Sequence, residues 1–225
     1  MSNDESHRRP ILRLAVFFVC ATLIVLAFST LYSFTNTLRR LDLVESERDQ
    51  WQRPLDVLRA LDLHEGNTVV DLGSGSGYFA LKLSAVAGAR GQVLAVDVRK
   101  MSLFFLWTRS LLRDQRNIHV VVGEEDNPGL PTGTVDAVLI CNAYHEFSNP
   151  GLMLNHTFRS LKPGGHLVVV DRAPHSVQAE HTHDVALTIV VSELRDKGFE
   201  IVSHDGHFID RPGGDLWWLV IGRKP

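Results

Sequence analysis

Hydrophobic residues near the amino terminus form one long uninterrupted run. Residues 14–34 comprise 21 positions without a charge, and a helix rising about 1.5 Å per residue would carry them across the roughly 30 Å hydrocarbon core of a bilayer. The next stretch, residues 35–50, is densely charged and is predicted to be a linker helix. Apolar residues then recur at helical spacing over residues 51–61, which predicts an amphipathic helix.

Beyond residue 61, short apolar runs alternate with amphipathic segments of ten or more residues. This alternation predicts parallel βαβ units and a doubly wound sheet. The last two runs have no helical segment between them, so we expect them to pair as an antiparallel hairpin. The predicted strands are residues 68–72, 92–97, 118–122, 135–141, 166–171, 199–207 and 216–222. The first predicted helix follows the first strand and ends at residue 87, and the others cover residues 101–113, 150–161 and 180–197.

Composition narrows the class of protein. The chain has 225 residues, of which 44% are hydrophobic and 22% charged, with a formal net charge of −3. These values fit one globular domain with an appendage and exclude a disordered or collagen-like chain. The near-neutral balance gives no electrostatic footprint for nucleic acid, so no nucleic-acid partner is expected. The two cysteines, Cys20 and Cys141, exclude a disulfide framework.

The apolar run at residues 14–34 has more than one interpretation. It exceeds the usual 7–15 apolar residues of a signal peptide, which favours a retained transmembrane anchor. A cleaved signal peptide, with cleavage after Ser29, is the rival interpretation, and a buried core helix is the third. Arginines stand on both sides of the run, so the positive-inside rule barely fixes its orientation. The predicted organisation is a tail at 1–13, an anchor at 14–34, a linker at 35–50 and one domain at 51–225.

A glycine-rich segment lies between the first predicted strand and its helix. Residues 71–77 read D-x-G-x-G-x-G, and such glycines let the backbone turn tightly and approach a ligand closely. A dinucleotide-binding fingerprint would need a further glycine where Tyr78 stands. Asp71, two positions before the first glycine, would repel a pyrophosphate and suits a cationic ligand. Asp97 ends the next predicted strand, where it can accept both hydroxyls of a ribose.

Taken in order, these segments resemble the class I S-adenosylmethionine-dependent methyltransferases over residues 50–222. The resemblance implies a Rossmann-like, seven-stranded sheet of order 3-2-1-4-5-7-6 with strand seven antiparallel, helices on both faces, and S-adenosylmethionine as cofactor. It implies methyl transfer to a small molecule. The matching segments are VVDLGSGSGYFAL, VLAVDV, GEED, VDAVLICNAYHEF and LKPGGHLVVVD.

The resemblance also assigns cofactor-binding roles. Asp71 and the glycine loop would face the methionine part, Asp97 would hold the ribose, and Val98 would pack on the adenine. Glu124 would meet the adenine amino group, and Asn142 would line the sulfonium side. The full predicted cofactor set is Asp71, Gly73, Ser74, Gly75, Gly77, Tyr78, Asp97, Val98, Glu124 and Asn142.

Catalytic candidates follow the fourth predicted strand. Methyl transfer from a sulfonium chiefly requires alignment of the acceptor, and a general base is needed only if the acceptor must lose a proton. His145 could take that proton, with Tyr144 beside it and Glu146 orienting it or binding a cationic acceptor. The competing interpretation is that His145 and Glu146 cap the loop. No metal site is predicted, because His181 and His183 point apart on a helix; with His175 and Asp184 they are candidates for a lid.

Cellular location follows from the expected cofactor rather than from charge. S-Adenosylmethionine is made and kept in the cytosol, so the catalytic domain is expected there, near a lipophilic, lipid-like or quinone-like acceptor. Export after signal cleavage remains the alternative location. The alternative functions are an NAD(P)-dependent oxidoreductase and a non-catalytic, membrane-tethered scaffold. The aromatic segment 103–107 is expected to form core and a wall of the adenine pocket, with a membrane-resting patch as the alternative.

Overall fold

The structure is a computed structural model that describes residues 5–174 and 184–225. It divides into two compact units, Met1–Ser46 and Glu47–Pro225. The long helix α1 covers Glu5–Trp51, so the predicted anchor and linker lie in one helix. Its stretch Val16–Trp51 is long and apolar enough to cross a membrane by length and composition, a test that a signal sequence also passes.

The second unit is a seven-stranded sheet with helices on both faces. The strand order is β3-β2-β1-β4-β5-β7-β6, and β7 is antiparallel to both β5 and β6, as predicted. The strands are β1 (Thr68–Leu72), β2 (Gln92–Asp97), β3 (Ile118–Val122), β4 (Val135–Cys141), β5 (Leu161–Arg172), β6 (Glu200–Arg211) and β7 (Asp215–Arg223). The helices are α2 (Pro54–Ala60), α3 (Tyr78–Ala87), α4 (Lys100–Leu112), α5 (Pro150–Ser160) and α6 (Leu187–Asp196).

The core lies in two layers on either side of the sheet. Helices α2, α3 and α4 contribute to one layer, where Phe79, Leu83 and Leu106 are buried. Helices α5 and α6 contribute to the other, where Leu154 and Leu194 are buried. Strands covered on both faces have continuous apolar sequences. For this reason the apolar runs of β1, β4 and β5 predicted strands. The carboxyl ends of β1, β2, β4 and β5 are left to form one edge.

The structure corrects the prediction of one continuous helix over residues 51–61. Helix α1 ends at Trp51 and α2 begins at Pro54. Between them, Arg53 adopts a left-handed conformation with φ 52°. Proline disfavours the helical conformation of the residue before it and cannot donate a backbone hydrogen bond, so the helical pattern is broken there.

Strand β5 begins earlier than predicted, at Leu161 rather than His166. Its pairing with β4 jumps from Leu161 to His166, so the Lys-Pro-Gly-Gly sequence forms a bulge within the strand instead of a turn before it. Lys162 is held there by an ion pair with Asp136 at 2.6 Å. A glycine-containing bulge of this kind is hard to distinguish from a turn by sequence.

The starts of α6 and β7 and the end of β6 also differ from the prediction. Helix α6 begins at Leu187; residues 184–186 are not helical, and residues 180–183 lie outside the described part of the chain. Strand β6 ends at Arg211 and β7 begins at Asp215. Their pairing shifts register between Asp205 and Ile209. The turn between them is therefore tighter than the predicted loop.

Candidate cofactor and acceptor site

The glycine loop connects β1 to α3 and has a strictly defined shape. Gly73 has φ 82° and Gly77 has φ 97°, conformations that glycine adopts at little cost. A Cβ at Gly73 would lie 2.4 Å from the Cβ of Ala143, and one at Gly77 would lie 2.2 Å from Leu106. At Gly75 nothing lies within 4 Å of the same position. The middle of the loop is therefore open, while its two ends tolerate no side chain.

Hydrogen bonds from β2 hold the loop in place. The carbonyl of Val96 accepts from the backbone N–H groups of Gly73 and Ser74 at 2.9 and 3.0 Å. The backbone N–H of Gly75 donates to Oδ2 of Asp97 at 2.8 Å. The other oxygen of Asp97 accepts from the backbone of Arg99 at 2.8 Å and from its side chain at 3.2 Å. Since Oδ2 accepts one bond, it keeps a lone pair for a ligand hydroxyl.

A cleft of about 650 Å³, including its open mouth, lies at the carboxyl ends of β1, β2 and β4. This is the point where the strand order reverses, the position at which open α/β sheets bind ligands. Five predicted site residues line it: Gly73, Asp97, Val98, Glu124 and Glu146. Apolar walls come from residues such as Leu72, Val96, Pro128, Phe147 and Met153. A polar floor with apolar walls suits a nucleoside.

Asp71 lies outside this cleft, buried at the level of the glycine loop. Burial raises the pKa of its carboxyl to about 7, and the charge of Asp97 adds to the increase. Among the described residues, its Oδ2 has no hydrogen-bond partner, and the same holds for Oγ of Ser74 and Oδ1 of Asn142. Buried acceptors without partners are costly. A ligand carrying an ammonium group would satisfy Asp71 and favour its ionised form, so these residues fit the amino-acid end of S-adenosylmethionine.

Asn142 directly follows β4 in a strained conformation. Its φ is 54°, a region that non-glycine residues seldom adopt, although asparagine does so more readily than most. Its backbone N–H donates to Val170 at 2.8 Å. The pairing of Leu72 with Ile140 places the carboxyl ends of β1 and β4 side by side, so the segments that follow them, the glycine loop and Asn142, begin at the same edge. The sequence position after β4 thus becomes a neighbour of the glycine loop.

Tyr78 is not positioned as a wall of the cleft. Its ring is buried, and its hydroxyl donates to Asp49 at 2.8 Å. The guanidinium of Arg48 lies 3.8 Å from the centre of the ring. Arg48 also donates to Gln52 at 2.6 Å, and Gln52 donates to Sγ of Cys141 at 3.4 Å. Tyr78 therefore links the glycine loop to the last turn of α1.

Arg48 and Gln52 were missed by sequence reasoning. Gln52 is completely buried, and the charge of Arg48 lowers the pKa of Asp71, opposing the effect of burial. Arg48 lies in the charged segment 35–50, which is predicted to be a linker, and Gln52 lies at the start of the predicted amphipathic helix 51–61. The one available signal was the glutamine at the start of an amphipathic helix, which is too common to indicate a site.

His145 forms a hydrogen-bonded pair with Asp171. Its Nδ1 lies 2.8 Å from Oδ1 of Asp171, and its backbone N–H donates to Oδ2 at 3.2 Å. Asp171 is completely buried at the carboxyl end of β5. Its hydrogen bond raises the pKa of His145, against the opposing effect of burial. A carboxylate can only accept, so Nδ1 carries the proton in the neutral ring and Nε2 is the acceptor.

The other two catalytic candidates, Tyr144 and Glu146, lie in different surroundings. The ring of Tyr144 is buried in the core, and its hydroxyl donates to Glu193 on α6, so the structure does not bring it to the cleft. Glu146 has a half-exposed side chain, 3.9 Å from both Arg99 and Nε2 of His145. Asp171 was not predicted; the signal that could have found it is an acid at the end of the strand that neighbours β4.

Three of the four lid candidates, His175, His181 and His183, lie outside the described residues. The fourth, Asp184, lies in the non-helical segment before α6. Within 5–174 and 184–225, no group of three or more histidine, cysteine, aspartate or glutamate side chains is arranged to hold a metal ion.

Sheet order, glycine loop and the acid ending β2 together define the class of S-adenosylmethionine-dependent methyltransferases. A methyltransferase of this class from Aquifex aeolicus has the same fold, with a TM-score of 0.70 and 24% identity over 84% of this chain and 98% of that one. Phosphoethanolamine N-methyltransferase 2 from Haemonchus contortus, solved with S-adenosyl-L-methionine, gives a TM-score of 0.66 and 15% identity over 78% of this chain and 53% of that one.

Residues 30–187 match the ubiE/COQ5 methyltransferase family, and the chain belongs to that family. The predicted methyltransferase class and cofactor, S-adenosylmethionine, are confirmed at this level. The ubiquinone/menaquinone biosynthesis C-methyltransferase UbiE of Vibrio cholerae is 30% identical over 47% of this chain and 41% of its own length. The enzyme of the same name from Edwardsiella ictaluri is 26% identical over 64% of this chain and 57% of its own length. The chain thus spans about half the length of the curated relatives it matches.

Proposed function

We propose that this chain methylates a lipophilic, quinone-like small molecule at the carboxyl edge of its sheet. The observation that carries the proposal is the presence of two complementary groups of residues at that edge. One group, around the glycine loop and Asp97, fits the methyl donor. The other, His145 with Asp171, offers a base for an acceptor hydroxyl. The names of the UbiE relatives, which include ubiquinone and menaquinone, support an acceptor of this class.

The cofactor-binding roles follow from charge and shape. The bound cofactor would supply a methyl group on a positively charged sulfur. Asp71, Ser74 and the loop backbone would hold its amino-acid end, where buried oxygens lack partners among the described residues. Asp97 would accept from the ribose hydroxyls, and Val98 and Glu124 would contact the adenine within the cleft. Asn142, at the same edge as the loop, would orient the end that carries the methyl group.

The acceptor role falls to the pair His145 and Asp171. Methylating a ring carbon of a quinol-like molecule is easier once the neighbouring hydroxyl has lost its proton. Nε2 of His145 would take that proton, while Asp171 holds the ring at 2.8 Å and stabilises the imidazolium. Once the ring carbon has gained the methyl group, it must lose its own proton. The imidazolium of His145 would first return its proton to the ring oxygen, and the neutral Nε2 would then accept the proton from the carbon and release it to solvent. Tyr144 has no part in this proposal.

We also propose a single membrane span with the catalytic domain on the cytosolic side. The apolar part of α1 supports an anchor, and the cofactor supports the cytosolic side. An alkaline phosphatase fused to Pro225 should be inactive and a fluorescent protein at the same position bright. An active phosphatase, or a mature amino terminus at Thr30, would instead indicate export after cleavage.

The reaction is tested with the full chain in lipid nanodiscs. Methyl-labelled S-adenosylmethionine and a hydroquinone with a short isoprenoid tail should give a labelled, singly methylated quinol. Asp97→Ala should abolish the product, and Asp205→Asn, on the exposed β6, serves as the matched control. Cofactor binding without any methylated product across quinols and phenols would favour the scaffold alternative. Binding of NADH without S-adenosylmethionine would favour the oxidoreductase.

A further inference from the structure

The outward face of α4 is apolar where a surface helix is normally polar. Six positions of the helix are exposed, and all except Lys100 are large hydrophobic residues. They are between 45% and 71% exposed and fall within an arc of roughly 140° at about 100° per residue. Isolated apolar residues on a surface are ordinary, but a contiguous set marks an interaction site. The set, called here the α4 face, is Met101, Phe104, Trp107, Leu111 and Leu112.

The ends of the α4 face are strongly basic. The segment from residue 99 to residue 116 contains five basic residues and one acid, a net charge of +4, in a chain whose net charge is −3. Arg99 and Lys100 stand at the start of the helix, and Arg113 and Arg116 follow its end. Arg99 is ion-paired with Asp97 and Arg116 with Asp114. The segment nevertheless has a net positive charge at both ends of the apolar surface, whereas the remainder of the chain is acidic.

The opposite side of α4 fixes the helix to the domain. Leu103 and Leu106 are buried in the core, and a side-chain nitrogen of Arg109 donates to the carbonyl of Ser76 in the glycine loop at 2.6 Å. The helix begins two residues after Val98, which lines the cleft. A surface that engages the α4 face is therefore held beside the mouth of the nucleoside cleft.

We propose that the α4 face inserts into the headgroup region of an anionic lipid bilayer. An apolar helical arc with basic ends is the pattern of helices that lie in the membrane interface. Tryptophan is favoured at that depth, and the basic residues complement anionic headgroups. The proposal goes beyond the methylation reaction and is independent of which acceptor is used. It gives the domain a second membrane contact besides the apolar helix.

The chain contains its own reporter for this contact. Of its four tryptophans, Trp217 and Trp218 are buried, Trp51 is partly buried against the core, and Trp107 is 47% exposed. The full chain is reconstituted in vesicles whose lipids are brominated close to the headgroup, without cofactor or acceptor. The emission of Trp107 is obtained by subtracting that of Trp107→Phe. In vesicles rich in phosphatidylglycerol the emission of Trp107 should be quenched. The double variant Lys100→Glu/Arg116→Glu should show roughly half of that quenching.

Several outcomes would overturn the proposal. Absence of quenching in anionic vesicles would do so, as would equal quenching in purely zwitterionic vesicles. A disulfide between two copies of Trp107→Cys, with no quenching of the wild type, would make the α4 face a contact between chains instead. Binding of S-adenosylhomocysteine by each variant confirms that it is folded. Since quenching is measured without turnover, failure here leaves the methylation proposal unaffected, and the reverse also holds.

Discussion

The region around β1 and β2 and the region around β4 and β5 meet at the carboxyl edge of one sheet, yet they are built differently. In the first, backbone N–H groups of the glycine loop donate to the carbonyl of Val96 and to the carboxylate of Asp97. In the second, the functional groups are side chains, His145 on the turn after β4 and Asp171 at the end of β5.

This difference separates two tasks. A loop of fixed backbone shape can hold the same cofactor in many proteins, because it recognises parts of the molecule that never change. A pair of side chains at the ends of neighbouring strands can be replaced without altering the fold, so it can be matched to one acceptor. We therefore expect substitutions in the first region to change cofactor binding, and substitutions in the second to change turnover.

The largest expected effect is on turnover in the β4–β5 region. Replacing His145 with glutamine should lower kcat by about 10²–10⁴-fold, the usual contribution of a general base. The hydrogen bond that Nδ1–H of His145 donates to Asp171 raises the pKa of His145 above its ordinary 6.5, so the wild-type rate should rise with pH through that raised value as Nε2 becomes free. Asp171→Asn should move the midpoint to lower pH. A pH profile unchanged by Asp171→Asn would show that the pair is merely structural.

The next effect concerns the shape of the glycine loop. In Gly77→Ala the new Cβ meets Leu106 at 2.2 Å and φ stays near 97°, so strain and overpacking should reduce the free energy of unfolding by about 2–4 kcal/mol. Gly66→Ala, with φ 93° and nothing within 4 Å, is the matched control and should lose about 1 kcal/mol. Denaturant unfolding in detergent measures both. Equal losses would mean that the close approach to α4 has no energetic importance.

Asp71 should make the stability of the ligand-free protein depend on pH. Its folded pKa is raised from 3.8 to about 7, so the folded state holds a proton that the unfolded state releases. Stability should therefore fall as pH rises from about 4 to about 7, by up to about 4 kcal/mol. Asp71→Asn should remove this dependence and also weaken S-adenosylmethionine binding. A wild-type stability that increases over the same interval would contradict the raised pKa.

The smallest effect is expected at the last turn of α1. Arg48→Met keeps the length of the side chain but removes the charge that lowers the pKa of Asp71. The midpoint for cofactor binding should then move to higher pH, with affinity at neutral pH reduced roughly threefold. Arg59→Met, on the exposed part of α2, is the control. Titration calorimetry across pH distinguishes them, and identical curves would exclude Arg48 from the site.

Much of the first region could be predicted from sequence, and the reason is local. The D-x-G-x-G-x-G segment and the acid at the end of the next strand lie within 27 consecutive residues, 71–97, and each follows a strand that its apolar run reveals. The sheet order followed from the resemblance and the absence of a helix between the last two strands.

The second region was only half predicted, because its parts are distant in the sequence. His145 was identified by its position after β4, but its partner Asp171 lies 26 residues away. Tyr144 and Tyr78 were placed near the site by adjacency alone, but both rings are buried and their hydroxyls donate to Glu193 and Asp49 instead of facing the cleft. Arg48 comes from the segment 35–50, whose composition indicates a linker, and Gln52 from the first residues of the predicted amphipathic helix 51–61.

The most direct test compares cofactor binding and turnover in the same preparations of Asp97→Ala and His145→Gln, each as the full chain in nanodiscs. Binding of S-adenosylhomocysteine is measured by calorimetry, and methylation of the quinol by mass spectrometry. The account predicts that Asp97→Ala loses both, whereas His145→Gln binds like the wild type and loses turnover. Wild-type turnover in His145→Gln, or wild-type binding in Asp97→Ala, would contradict the division of the edge into a cofactor region and an acceptor region.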